Sequence, residues 1–242
     1  MGGEYKNIIY GNYRTMHNDL LYGRPTLDSI RINFSVWKYY YAKHFPTDRD
    51  AVILDIGCGE GSFVYFLTQL GYKNVSGIDL SEQQIELGNQ LGIQGLQLAN
   101  LYEFLESRAD QFDFIIALDV LEHFTKAEAF DIVRLILRSL KQGGYFLMQV
   151  PNGEGIFMSS IYFGDFTHEV AYSHLSVRQV FLNAGFSEVM SYPLGPVPNS
   201  LQGLIRFILW KVRVVFYRFG KMVETGNAQG IFTSNLIAVG KK

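Results

Sequence analysis

From residue 51 onward, short apolar runs alternate with longer stretches in which apolar positions recur at helical spacing. The runs are AVILDI, NVSGIDL, GLQLA, FDFIIAL and GGYFLMQV, and between them lie SFVYFLTQLGY, SEQQIELGNQLG and KAEAFDIVRLILRSL. Runs this short read as strands, and the helix-length stretches read as their crossovers. Strict alternation of the two predicts parallel strands with helices on both faces, a doubly wound α/β sheet. SVRQVFLNAGF adds one more helix, closed by Gly185, and FSEVMSY and FTSNLIAVG add two late strands.

Three segments break the pattern. Residues 1–45 are rich in Tyr and Asn and predict a helical or lid segment, with a helix over SIRINFSVWKYYYAKHF, ahead of a domain at 46–242. Residues 151–175 have no periodicity, and an aromatic loop that long in a compact domain points to function. Residues 193–230 separate the two late strands and contain a basic helical insertion.

Composition narrows the class. At 242 residues with 48% hydrophobic positions, the chain is within reach of one large folded domain. A formal charge of −2 gives no reason to expect nucleic acid. The single cysteine, Cys58, excludes an internal disulfide framework and fits a reducing cytosol. MGGEYKNIIY lacks a secretory signal pattern, and no apolar run is long enough for a membrane span. The expectation is a cytoplasmic protein, in contact with the inner face of the membrane at most.

The most specific stretch is VILDIGCGEGSF, in which a strand ends at Asp55 and Gly57, Gly59 and Gly61 turn the chain into a helix. Glycines there let a ligand approach the backbone, and the helix start offers unpaired N–H groups. A dinucleotide site needs G-x-G-x-x-G, whereas this loop is G-x-G-x-G with an acid before it. Asp55 would repel a pyrophosphate but suits a cationic ligand such as S-adenosylmethionine. GIDLS then places Asp79, followed by Leu80, where a carboxylate can accept both ribose hydroxyls.

On these residues the chain resembles class I S-adenosylmethionine-dependent methyltransferases over residues 50–192. LDIGCGEG is similar to the first motif of that family and GIDLS to the second, while FDFIIALDVLEHF and LKQGGYFLMQVPN resemble the fourth- and fifth-strand motifs. The resemblance implies a Rossmann-like seven-stranded sheet of order 3-2-1-4-5-7-6 with an antiparallel last strand. It implies a cofactor site that includes Asp55, Gly57, Cys58, Gly59, Gly61, Asp79 and Leu80. The family's acid on the adenine side is replaced by Asn100, whose amide would bind the adenine amine, and Ala117 and Leu118 would line the methionine side. VPN, GDFTHEVAYS and the basic insertion resemble, more narrowly, methyltransferases of bacterial surface-polysaccharide pathways.

Ligands of such sheets sit beyond the carboxyl ends of the strands. That rule gathers DVLEHF, VPNGEG and FGDFTHEVAYSH at one mouth, and with them Asp119, Glu122, His123, Asp165, His168 and Glu169. A hydroxyl acceptor must lose a proton, which calls for a base or a metal. His168 is the candidate base, with His123 as the second candidate catalytic residue. Alternatively Glu122, His123 and His168, with Asp119, hold a divalent cation (Mg or Mn). Ubiquinone-biosynthesis and small-RNA 2′-O-methyltransferases resemble this arrangement, except that Asp119 stands one position off their second glutamate. A structural role is the third reading, with the Glu-His pair capping a helix and His168 tying the lid down. His174 is expected at a helix entry beside Ser176 as N-cap. Tyr10, Tyr13 and Tyr22 could wall an acceptor pocket and Arg31 could meet the cofactor's carboxylate, although packing or exposure explains each as well. His17 and His44 have no evident role.

SLQGLIRFILWKVRVVFYRFGKM has five basic residues and no acid. At about 100° per residue, Leu201, Leu204, Ile205, Ile208, Leu209, Val212, Val215, Phe216 and Phe219 share one face. The basic residues take the other, with Trp210 and Tyr217 among them. This pattern predicts a helix in a membrane interface through residues 200–222, or else one packed on its own domain or on a partner. The expected function is O-methylation of a hydroxyl of a surface glycan or its lipid-carried precursor. The alternatives are a quinone-pathway small-molecule O-methyltransferase and a non-catalytic cofactor-binding module.

Overall fold

The computed structural model describes Ile9 and residues 23–242. Tyr10, Tyr13, His17 and Tyr22 lie outside the described residues.

Seven strands form one sheet: β1 (Val52–Ile56), β2 (Asn74–Asp79), β3 (Leu96–Leu98), β4 (Phe112–Leu118), β5 (Leu140–Pro151), β6 (Glu188–Leu194) and β7 (Asn235–Lys241). Their order is β3-β2-β1-β4-β5-β7-β6. The pairs among β1 to β5 are parallel, and β7 runs antiparallel to both β5 and β6. This is the sheet that the resemblance implied.

The apolar runs do not alternate with polar residues because both faces of the central strands are covered. Leu54, Ile56, Ile115 and Ala117 pack on one face against α6 (Lys126–Ser139) and α8 (His174–Ala184). Ile53, Phe114, Ile116, Leu147 and Ile237 point to the other face. There they meet α3 (Ser62–Gln69) and α2 (Phe34–Tyr41) through Phe63, Phe66, Tyr40 and Tyr41. Side chains of residues 34–45 therefore pack onto this face of the sheet.

The single helix expected over SIRINFSVWKYYYAKHF is broken. α1 (Leu27–Ile32) starts at a capping box between Thr26 and Ser29 and ends at Asn33, after which α2 begins. A 3-10 turn over Ala42–His44 completes the segment. Further along, α4 (Glu82–Gln90) crosses from β2 to β3 and α5 (Leu101–Glu106) leads into β4. α7 (Met158–Tyr162) forms inside the loop after β5, and α9 (Leu201–Thr225) fills the insertion before β7. α8 is capped by Ser173, whose hydroxyl accepts from Ser176 N, so the N-cap falls three residues before the expected Ser176. Ser176 instead closes the capping box by accepting from Ser173 N at 2.9 Å.

Candidate active site

The glycine loop leaves β1 in a left-handed path, with Gly57 at φ 66°, Gly59 at 54° and Gly61 at 84°. Two of these glycines serve different ends. A Cβ on Gly57 would lie 2.5 Å from Val120 Cγ2, whereas one on Gly59 would meet no described residue within 4 Å. Gly57 is thus required by packing, while Gly59 borders open space at the mouth of the sheet.

Asp79, at the end of β2, receives Gly59 N on Oδ2 and Ser81 N on Oδ1, both at 2.8 Å. Each oxygen keeps a second lone pair for another donor. Burial raises its pKa, against the pull of those amides. Asp55 is buried, and burial followed by the charges of Asp79 and Glu60 pushes its carboxyl well above the usual range. The charges of Asp79 and Glu60 thus converge on Asp55, and a pocket of such carboxyls favours a cation.

The other expected site residues have the following places in the fold. Cys58 spends its N–H on Ile78 O at 3.0 Å, and its thiol is buried beside Gly77 and Val64. Asn100 caps α5, with Oδ1 accepting from Tyr102 N at 2.9 Å. Its Nδ2 is left as a donor, which suits a ring nitrogen of a base better than an exocyclic amine. Leu80 is exposed beyond β2, and Leu118 is half-buried at the end of β4. Arg31 is engaged by Asp28 at 2.9 Å and by Tyr65 OH at 2.6 Å. His44 stacks on Tyr192 and burial holds its pKa down to about 4.

A second cluster of expected residues is built on a 3-10 turn at Leu121–His123, directly after β4. The loop after β5 is laid onto it: Glu169 N donates to Glu122 O at 2.7 Å and Tyr172 OH to Leu121 O at 3.3 Å. This brings one donor atom each from Glu122, His123 and His168 within 4.8 Å of one another. Glu122 is fully buried, and neither of its carboxylate oxygens has a hydrogen-bond partner among the described residues. Burial, then the charges of Asp119 and Asp165, push its carboxyl well above the usual range. An unpaired buried carboxylate is costly, and a bound cation is one way to satisfy it.

The hydrogen bonds fix both imidazoles. Thr167 Oγ1 donates its one proton to Asp165 Oδ1 at 2.6 Å, so at 2.8 Å from His123 Nδ1 it must accept. His168 Nδ1 lies 3.0 Å from the carbonyl of Tyr162, which can only accept. Each ring therefore carries its proton on Nδ1 and, when neutral, its lone pair on Nε2. Such outer partners orient metal-ligating histidines, and the same lone pair also suits a general base.

Asp119 has φ 56°, a left-handed conformation uncommon for a residue with a side chain. Its Oδ2 accepts from Gln149 Nε2 at 2.7 Å, and Gln149 Oε1 in turn accepts from Tyr41 OH. Solvent reaches part of Asp119, while desolvation by the protein around its carboxyl pushes it up to about 6. Gln149, Tyr41 and Thr167 were not anticipated. The signal for Gln149 was a polar residue inside the apolar run YFLMQV. A cavity of about 260 Å³, lined by Asn33, Val36, Pro196 and Arg206, lies apart from these groups.

A sheet of this order, with a left-handed glycine loop and an acid at the end of β2, defines the class I Rossmann-like methyltransferase architecture. The chain belongs to the methyltransferase-domain family, whose model matches residues 31–190, and it falls in the S-adenosylmethionine-dependent class. It is similar to a ubiquinone biosynthesis O-methyltransferase of Rickettsia bellii, 31% identical over 121 residues that make up 48% of each protein. A protein of the same description from Chelativorans sp. is 32% identical over 153 residues, 59% of this chain and 55% of that one. The chain spans about half the length of the first curated relatives it matches. In fold it is similar to a SAM-dependent methyltransferase from Archaeoglobus fulgidus, with a TM-score of 0.69 at 18% identity over 95% of this chain and all of that one.

Proposed function

We propose that this chain methylates a hydroxyl group, with Glu122, His123 and His168 forming a divalent-cation site that holds the acceptor oxygen. The observation that carries this reading is Glu122, fully buried beside two imidazoles with both oxygens unpartnered among the described residues. A buried carboxylate with two imidazole nitrogens is a donor set suited to Mg or Mn, completed by water and acceptor oxygens.

Asp79 would receive the ribose hydroxyls of S-adenosylmethionine on its remaining lone pairs, and Gly59 would leave room for the cofactor against the backbone. Asp55, whose raised carboxyl would ionise only beside a cationic cofactor, would then supply negative charge at the loop, Leu80 would cover the adenine, and Asn100 would donate to a ring nitrogen. Gly57 and Gly61 hold the loop, Cys58 anchors it to β2, and Leu118 borders the methionine side. When bound, S-adenosylmethionine supplies an electrophilic methyl on a cationic sulfur, and a cation would lower the pKa of the acceptor hydroxyl. His123 and His168 orient their Nε2 atoms, and the lid over the 3-10 turn excludes water from the transfer. His168 as a metal-free general base is the second reading, favoured by its tautomer alone.

For the acceptor we favour a phenolic hydroxyl of the quinone-precursor type over a sugar hydroxyl. Several of the curated relatives are ubiquinone biosynthesis O-methyltransferases, and the lid exposes Phe163 and Phe166, which suit an apolar acceptor. Such acceptors reside in or at a lipid phase, so the reading includes membrane contact through residues 200–222. The test is label transfer from methyl-tritiated cofactor to a catechol with a prenyl tail and, in parallel, to a lipid-linked glycan. Label in the glycan alone would overturn the acceptor choice.

A further inference from the structure

The helix α9 is amphipathic in a way that the sequence left undecided. Its 25 residues include none that is buried, and it lies on the body by one side only. Gly203, Phe207, Trp210, Val214, Tyr217 and Lys221, spaced three and four apart, are its half-buried positions. Trp210 lies against Gly195, and Tyr217 faces Phe232 with ring centroids 6.3 Å apart. Lys221 reaches Glu154 at 2.9 Å, and Glu154 also holds His174 at 2.7 Å. The helix is thereby tied to the loop after β5 and to the start of α8.

The opposite side is apolar and faces out. Leu209 is 63% exposed, Val215 66%, Phe216 70% and Phe219 61%, with Leu201, Ile205, Ile208 and Val212 on the same arc. The aromatic residues that the sequence placed within a basic face, Trp210 and Tyr217, instead meet the body. The basic residues split into two shoulders. At about 100° per residue, Arg206 and Arg213 flank the apolar arc on one edge and Lys211 and Arg218 on the other. Arg206, Lys211, Arg213 and Arg218 are all exposed.

We propose that α9 docks the protein on an anionic lipid bilayer, its outward apolar arc inserted between the headgroups and both shoulders set at phosphate level. Long basic side chains reach the headgroups from the flanks of a buried face, and anionic lipid adds attraction for each. Charge selects this occupant over a second copy of the chain. No acid occurs from Leu201 to Val223, so two such faces packed together would set arginine and lysine against arginine and lysine with nothing to pair them. A bilayer surface with negative headgroups complements the same pattern. The proposal deepens the membrane contact of the reading above but does not rest on the acceptor, because vesicle binding and methyl transfer are read separately.

The experiment is co-sedimentation of the full chain with vesicles of phosphatidylcholine alone or with about one-third phosphatidylglycerol, at low and high salt. Binding to the anionic vesicles is expected, weakened by salt, and strongly reduced by Leu209→Glu with Phe216→Glu. Because those positions are exposed, the thermal transition should stay in place. Should that variant fold poorly, Arg206→Gln, Lys211→Gln, Arg213→Gln and Arg218→Gln together carry the test, with an expected loss of more than about tenfold in vesicle affinity. Absence of binding to either vesicle, or binding unchanged in the folded variants, overturns the proposal. A dimer in light scattering that Leu209→Glu with Phe216→Glu converts to monomer also overturns it, in favour of a second copy on this face.

Discussion

Thr167 Oγ1 lies 2.8 Å from His123 Nδ1, and because its own proton goes to Asp165 it holds that ring in a single tautomer. Thr167→Val keeps the shape and removes the acceptor. The cation affinity of the variant should fall by roughly 10–100-fold, as expected for loss of an outer partner. Titration with Mn, read by its paramagnetic signal, checks the affinity. Nitrogen chemical shifts of the rings check that the Nδ1–H form predominates in the parent and not in the variant.

Glu122 gives a pH dependence with a definite sign. Burial raises its folded pKa well above the usual value, so the unfolded chain ionises first as pH rises. Stability of the metal-free protein should therefore fall from about pH 4 upward, with Asp119, pushed up to about 6, adding to the fall. Glu122→Gln should flatten the Glu122 part and leave the Asp119 part. Added Mn should restore stability at neutral pH in the parent but not in Glu122→Gln. Thermal unfolding across pH, with and without the cation, measures all three.

The two glycines should separate stability from binding. Gly57→Ala drives a Cβ into Val120 and should lower the thermal transition strongly. Gly59→Ala meets no described residue, so only its φ of 54° counts against it, at about 1 kcal/mol. Its main effect should be a loss of cofactor affinity, seen by calorimetric titration with S-adenosylhomocysteine.

The link between α9 and the loop after β5 is a further target. Glu154 is held low by Lys221 and His174, which outweigh its burial. A depressed acid stabilises above its unfolded pKa and loses that contribution as pH falls through its folded pKa. Lys221→Met should cost up to about 1 kcal/mol at neutral pH and shift that acid limb upward. Unfolding by denaturant at pH 7 and near pH 4 distinguishes this from a uniform loss.

The sheet was legible in the sequence because its strands are covered on both faces and so read as unbroken apolar runs. The glycine loop was legible because Gly57, Gly59 and Asp79 are close in sequence as well as in space. α5 escaped notice because six residues give too little periodicity, and the break at Asn33 because no Pro or Gly marks it. Gln149 joins Tyr41 to Asp119 across separations of 108 and 30 positions, which local pattern cannot reveal. For α9 the pattern showed a broad apolar arc but not which side met the body. Trp210 and Tyr217 settle that only once Gly195 and Phe232 are in place.

The most direct test of the central claim is the rate of methyl transfer to a catechol acceptor, measured with chelator and then with Mg or Mn restored. Transfer that chelator abolishes, metal restores and Glu122→Gln reduces by about a hundredfold is the predicted result. Transfer that proceeds unchanged in chelator would contradict the cation site and leave His168 as a simple base.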